Sequence, residues 1–113
     1  MPFPSVTPPT TIAANSSWTS AVTNSQGFSA LTVGVTSSQV GALYITRYVD
    51  GAGAVVLDNP ANKNSATLVA TVGNSVALAD GVVYGSFTIT ITNTAASSAT
   101  ITAVNPGWVC QGP

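Results

Sequence analysis

The chain has 113 residues, with two basic side chains (Arg47, Lys63), three acidic ones (Asp50, Asp58, Asp80), no histidine, no glutamate and a net charge of −1. Charged residues make up 4% of it, where globular domains carry roughly 25%. Two cations are too few to displace counterions along a phosphate backbone, which argues against nucleic-acid binding. Without histidine no Ser-His-Asp or Cys-His arrangement exists within one chain, and a single cysteine leaves nothing to build a zinc site. The expectation is a protein that is not an enzyme and uses no cofactor or metal.

Low charge here does not mean disorder, because β-branched residues abound and 45% of the chain is hydrophobic. The length suits one domain with a core of its own. The apolar stretches Gly51–Leu57 and Thr67–Val72 fall far short of a membrane-spanning helix. No basic segment followed by an unbroken apolar run opens the chain, so no secretory signal is read, and synthesis in a cytoplasm fits. Cys110 has no partner cysteine and gives no disulfide framework.

Residues Met1–Thr11 hold four of the seven prolines. Proline fixes φ and removes a donor, so an extended arm is expected over residues 1–17, ahead of a domain over 18–113. It reads either as a frayed terminus or as an arm anchored on a neighbour through Phe3. Along Phe28–Ser37, Leu31, Val33 and Val35 share one face of a strand and Thr32, Gly34 and Thr36 the other. Ser37–Gly41 reads as a turn. Ala42–Val49 is expected to follow as a strand with Leu43, Ile45 and Val49 on one side and Tyr44, Thr46 and Tyr48 on the other. Arg47 falls among the apolar set, which suggests either a stem reaching water near the strand end or a bulge.

Asp50-Gly51 is a turn dipeptide, Ala54–Leu57 a candidate short strand and Asp58–Ser65 a polar loop. Ala66–Val72 and Val76–Leu78 read as strands parted by Gly73-Asn74, with Asp80-Gly81 another turn. The clearest strand is Ser86–Asn93, with Phe87, Ile89 and Ile91 facing one way and Ser86, Thr88, Thr90 and Thr92 the other. Alternation resumes over Ala99–Val104, so these two segments are expected to form an antiparallel hairpin. Short strands with frequent turns make an all-β, antiparallel β-sandwich of jelly-roll or immunoglobulin-like type the expected fold.

The motifs carry little chemistry. Gly51-Ala52-Gly53-Ala54 lacks the following helix and lysine of a phosphate cradle. Asn15-Ser16-Ser17 fits a glycosylation sequon, with chance the better account. The three aspartates are too scattered for calcium. Tyr44 and Tyr48 share a strand face and suit either packing or an aromatic platform for sugar. Trp18 and Trp108 bracket the domain, each able to close a core or dock on a partner. Candidate interface residues are therefore Phe3, Trp18, Tyr44, Tyr48 and Trp108. Strand surfaces made of Thr, Ser, Asn and Ala lack the charges that keep sheet edges apart, so permanent assembly is expected.

The run Phe28–Gly51 is similar to a segment of tailed-phage virion proteins, in which an aromatic precedes an alternating strand, a Ser-rich turn, Gly-x-Leu-x-Ile and Asp-Gly. The matching positions include Phe28, Leu31, Val33, Val35, Gly41, Leu43, Ile45, Asp50 and Gly51. Phe87–Ala99 resembles the closing strand of that family, and Trp18 its upstream tryptophan. Ser38 departs from it where aspartate is common, and no tryptophan closely follows Asp50-Gly51. The resemblance implies a structural virion protein, most naturally a capsid decoration, or cement, protein. It would be a homotrimer on the capsid surface with the major capsid protein as partner, and with no nucleic-acid or membrane partner. A carbohydrate- or receptor-binding module of a fibre or bacterial surface, and a tail or baseplate subunit, are the alternatives.

Overall fold

The structure, a computed structural model, describes residues 5–6, 9–25, 30–57, 65–78, 82–103 and 108–111. Side chains are described within 9–25, 30–57, 65–78 and 82–102. The described elements are all strands: β1 (Ser5–Val6), β2 (Thr11–Ile12), β3 (Ser16–Thr19), β4 (Thr23–Asn24), β5 (Ala30–Ser37), β6 (Gly41–Tyr48), β7 (Ser65–Leu68), β8 (Gly73–Leu78), β9 (Ser86–Asn93), β10 (Ala99–Ala103) and β11 (Trp108–Gln111). They form two antiparallel sheets enclosing one apolar core, a β-sandwich.

In the first sheet β5 is central. β8 runs along one of its edges, while β11 and β10 share the other, end to end. β1 and β2 pair outside β11 and β10 respectively. In the second sheet β6 and β9 pair over their full length, with β7 outside β6 and β3 and β4 outside β9. The alternation seen in the sequence decides which faces meet. Leu31, Val33 and Val35 from β5 pack with Leu43, Ile45, Phe87, Ile89 and Ile91 from the opposite sheet, all buried. Each such side chain contributes about 1.5–3 kcal/mol by leaving water.

Five expectations are corrected. β9 and β10 do not form a hairpin: both edges of β9 are occupied within its own sheet, so the chain crosses to the other sheet through residues 94–98. Buried Asn93 holds this crossing. Its Nδ2 donates to the carbonyls of Ile12, Ala13 and Ser97, and its Oδ1 accepts from the Ala95 amide. The turn after β7 sits at Val69–Val72, closed by a Val72 N–H to Val69 carbonyl bond, and Gly73-Asn74 opens β8. This turn also changes sheets. Ala54–Leu57 is no strand; it contributes one bridge, Val56 to Tyr48.

Arg47 is the fourth correction. The register has no bulge there and the side chain does not reach water: it is fully buried, the largest side chain in that state. Its guanidinium carbon lies 5.4 Å from the centre of the Tyr84 ring, a cation–π distance. Tyr84 in turn meets Phe87 edge-on at 6.4 Å. Val49, expected on the inner face, lies past the end of β6 and is exposed.

Two backbone details locate local constraint. A Cβ on Gly41 would collide with the Thr92 carbonyl, so only glycine lets β6 start against β9. Thr71 has φ 65°, a left-handed conformation that costs a β-branched residue about 1–2 kcal/mol.

Thr71→Gly should therefore raise the unfolding free energy by about 0.5–1 kcal/mol, the relieved strain exceeding glycine's entropic cost. Asn93→Ala should lower it by about 2–3 kcal/mol because a buried side chain that bonds four backbone groups is lost. Urea unfolding checks both, with the shift appearing in the midpoint at unchanged slope.

Candidate interaction surface

The outer face of the second sheet is built from the polar half of each alternation. Ser17 and Thr19 of β3 stand beside Thr92 and Thr90 of β9, and Tyr44, Thr46 and Tyr48 of β6 continue the face. Hydroxyls bond across the strands: Ser17 Oγ to Thr92 Oγ1 at 3.0 Å, Thr19 Oγ1 to Thr90 Oγ1 at 3.1 Å, and Tyr48 Oη to Thr88 Oγ1 at 3.4 Å. Thr88 and Thr90 are buried although they point outward, because neighbouring side chains close over them. No ionisable group other than the tyrosines stands on this face among the described residues.

Of the candidate interface residues, Tyr44 and Tyr48 are brought together here, half-buried and four positions apart on β6. At about 3.3 Å per residue they stand roughly 13 Å apart. Trp18 lies on the opposite face of its sheet, paired with Ile91 and packed half-buried against the core. It closes the sandwich and does not join the tyrosines. Trp108 belongs to β11, paired with Val6, and its side chain lies outside the described residues, as do Phe3, Asp58 and Asp80.

A second surface went unread in the sequence. Among the described residues, nine large aliphatic side chains are exposed, and all nine fall in connections or beside strand ends. Val22, Val49, Val55, Val56, Leu57 and Val83 belong to the end where β6 finishes and β9 begins, Val83 being 81% exposed. Val40, Val69 and Val72 belong to the turns after β5 and β7, which meet through the Thr71 N–H to Ser37 carbonyl bond. The larger group is held by a stiff base. Gly85 donates to the Tyr48 carbonyl and packs so tightly on Val49 and Asp50 that a Cβ would clash. Ser86 Oγ donates to the Asp50 carbonyl, and Ser25 Oγ to that of Tyr84.

Asp50 organises this loop. Its carboxylate accepts from the Ala54 and Val55 amides at 2.9–3.1 Å. The charge is thereby turned inward onto the loop's own backbone, leaving aliphatic side chains outside. The first sheet carries on its outer face a shallow groove of about 240 Å³, lined by Gly34, Thr36, Gly73, Ser75 and Thr102 among others, with no ionisable group. Among the described residues no three metal-ligating side chains come together, and no helix is long and apolar enough to cross a membrane. Comparisons with protein-family models, with curated proteins and with solved structures found no match to this chain.

The amides of Val55 and Ala54 hold the Asp50 pKa below its ordinary value of 3.8. With the folded value depressed, the stabilisation is complete above pH 3.8 and fades as pH falls through the folded value. Asp50→Asn should lower the unfolding midpoint by a constant amount near neutrality, and the deficit should shrink in acid. A deficit that grows on acidification would contradict this assignment.

Proposed function

We propose that the protein is a structural component of a phage virion, a capsid decoration protein of jelly-roll type that docks through uncharged surfaces. The strand order supports the topology: β8, β5, β10 with β11, then β1 with β2 in one sheet; β7, β6, β9, then β3 with β4 in the other. This is two Greek keys wrapped face to face, an architecture common in viral capsid and lectin domains. The similarity of Phe28–Gly51 and Phe87–Ala99 to tailed-phage virion proteins supports the setting.

The observation that carries the docking mode is the clustering of exposed aliphatic residues at the sandwich ends, above all Val55, Val56, Leu57 and Val83, with the one described carboxylate beside them, Asp50, bonded to backbone amides. Exposed apolar patches of this kind mark interaction sites. Copies would sit as homotrimers on the capsid surface against the major capsid protein. Binding only to the assembled shell stabilises that state by mass action. Apolar contact dominates, so affinity should vary little with ionic strength.

A sugar-binding module is the second reading, favoured by the hydroxyl-lined face on which Tyr44 and Tyr48 stand out. A location on the tail or baseplate would use the same uncharged contacts.

Cosedimentation with empty expanded shells tests the first reading. Retention at both low and high salt, lost on Val56→Asp with Val83→Asp, is expected; no retention, or retention abolished by salt alone, would overturn it. A glycan array on the isolated protein should show no selective sugar; a selective signal lost on Tyr44→Ala would move the assignment to the second reading.

A further inference from the structure

The two flanks of the sandwich are closed in different ways. On one, the N-terminal segment runs along the first sheet as β1 and β2 and then along the second as β3 and β4. Pro9 lies within that segment, and proline lacks the donor that a further strand would need. On the other flank stand β7 and β8, the outermost strands of their sheets.

β8 is six residues long and, among the described residues, pairs only with β5. Among the described residues no backbone group of β8 bonds to anything beyond its free edge. Nothing that commonly guards an edge is present: Gly73–Leu78 contains no charge and no proline, and its pairing with β5 runs without a bulge. Val76 and Leu78 point into the core, while Gly73, Ser75 and Ala77 are small and exposed, so no bulky side chain blocks an approaching backbone.

We propose that β8 pairs antiparallel with β8 of a second copy of this chain, joining the two first sheets across a twofold axis. A free strand edge offers alternating donors and acceptors, and an antiparallel copy of the same strand offers the complementary set at every position. Six facing residues make about six backbone hydrogen bonds over roughly 20 Å. Exposed Val69 and Val72 lie in the turn leading into β8 and add apolar contact beside the edge. The near absence of charge means that nothing on the strand repels its own copy. This contact does not depend on the capsid reading, and it joins copies whether or not they also gather about a threefold axis.

The test combines sedimentation equilibrium of the full chain with amide hydrogen exchange at high and low protein concentration. Ser75→Lys with Ala77→Lys sets like charges against one another across the twofold and should weaken association at least tenfold. The same charge at exposed Thr11 on the opposite flank, Thr11→Lys, should leave association unchanged. In the unmodified protein, protection of β8 amides should fall on dilution while that of β9 stays constant. The unfolding midpoints of the lysine variants, matched to the parent, show that each still folds. Should they fail to match, the dilution experiment on the parent decides alone. Association unaffected by the β8 lysines, equal weakening by Thr11→Lys, or β8 exchange independent of concentration would overturn the proposal. Shell binding is not measured in either arm, so a failure here leaves the decoration reading standing and the reverse holds too.

Discussion

The full occupancy of β9 governs the topology. β6 takes one of its edges over all eight residues and β3 with β4 takes the other, so no later strand can join it. The chain leaving Asn93 must change sheets, and the buried Asn93 side chain holds that crossing by sharing its two Nδ2 hydrogens among the carbonyls of Ile12, Ala13 and Ser97. The turns after β5 and β7 change sheets at the same end. A long interior ladder thus forces the wrapped arrangement and leaves the β7–β8 flank and the loop ends as the places where contact is still available.

The same economy appears in the polar groups. With five charged side chains in the whole chain, neutral hydroxyls and amides carry the polar contacts. Seryl and threonyl hydroxyls bond one another across the outer face, and the Asp50 carboxylate is absorbed by two backbone amides. The buried cation Arg47 lies against the Tyr84 ring, which itself meets Phe87. A surface built this way has little electrostatic means of holding other molecules off, which connects the composition directly to assembly.

The sequence made the strands legible where alternation was strong. β5, β6, β9 and the start of β10 were readable because Leu, Ile, Val and Phe alternate with Thr there, and the buried and exposed faces follow that parity. Partners were not legible. Periodicity marks which face is inside and says nothing about which edge meets which, so adjacent segments such as Ser86–Asn93 and Ala99–Ala103 invited a hairpin that tertiary occupancy forbids. The parity of Arg47 pointed inward correctly, but a guanidinium is rarely buried whole, and the Tyr84 ring that receives it comes from a segment without alternation. Tyr44 and Tyr48 could be placed on one face from their spacing. The aliphatic ends could not, because they assemble from separate loops; the run Val55-Val56-Leu57 and the pair Val82-Val83, apolar without alternation, were the available signal.

Self-association, the claim common to the composition and to the open β8 edge, rests on one property: a neutral, partly aliphatic exterior. Light scattering of the purified full chain over a wide dilution series probes it most directly. A mass of two or more copies, persisting at high salt and falling toward one copy only at high dilution, is the expected result. A single-copy mass at every concentration, in a soluble and folded sample, would contradict it.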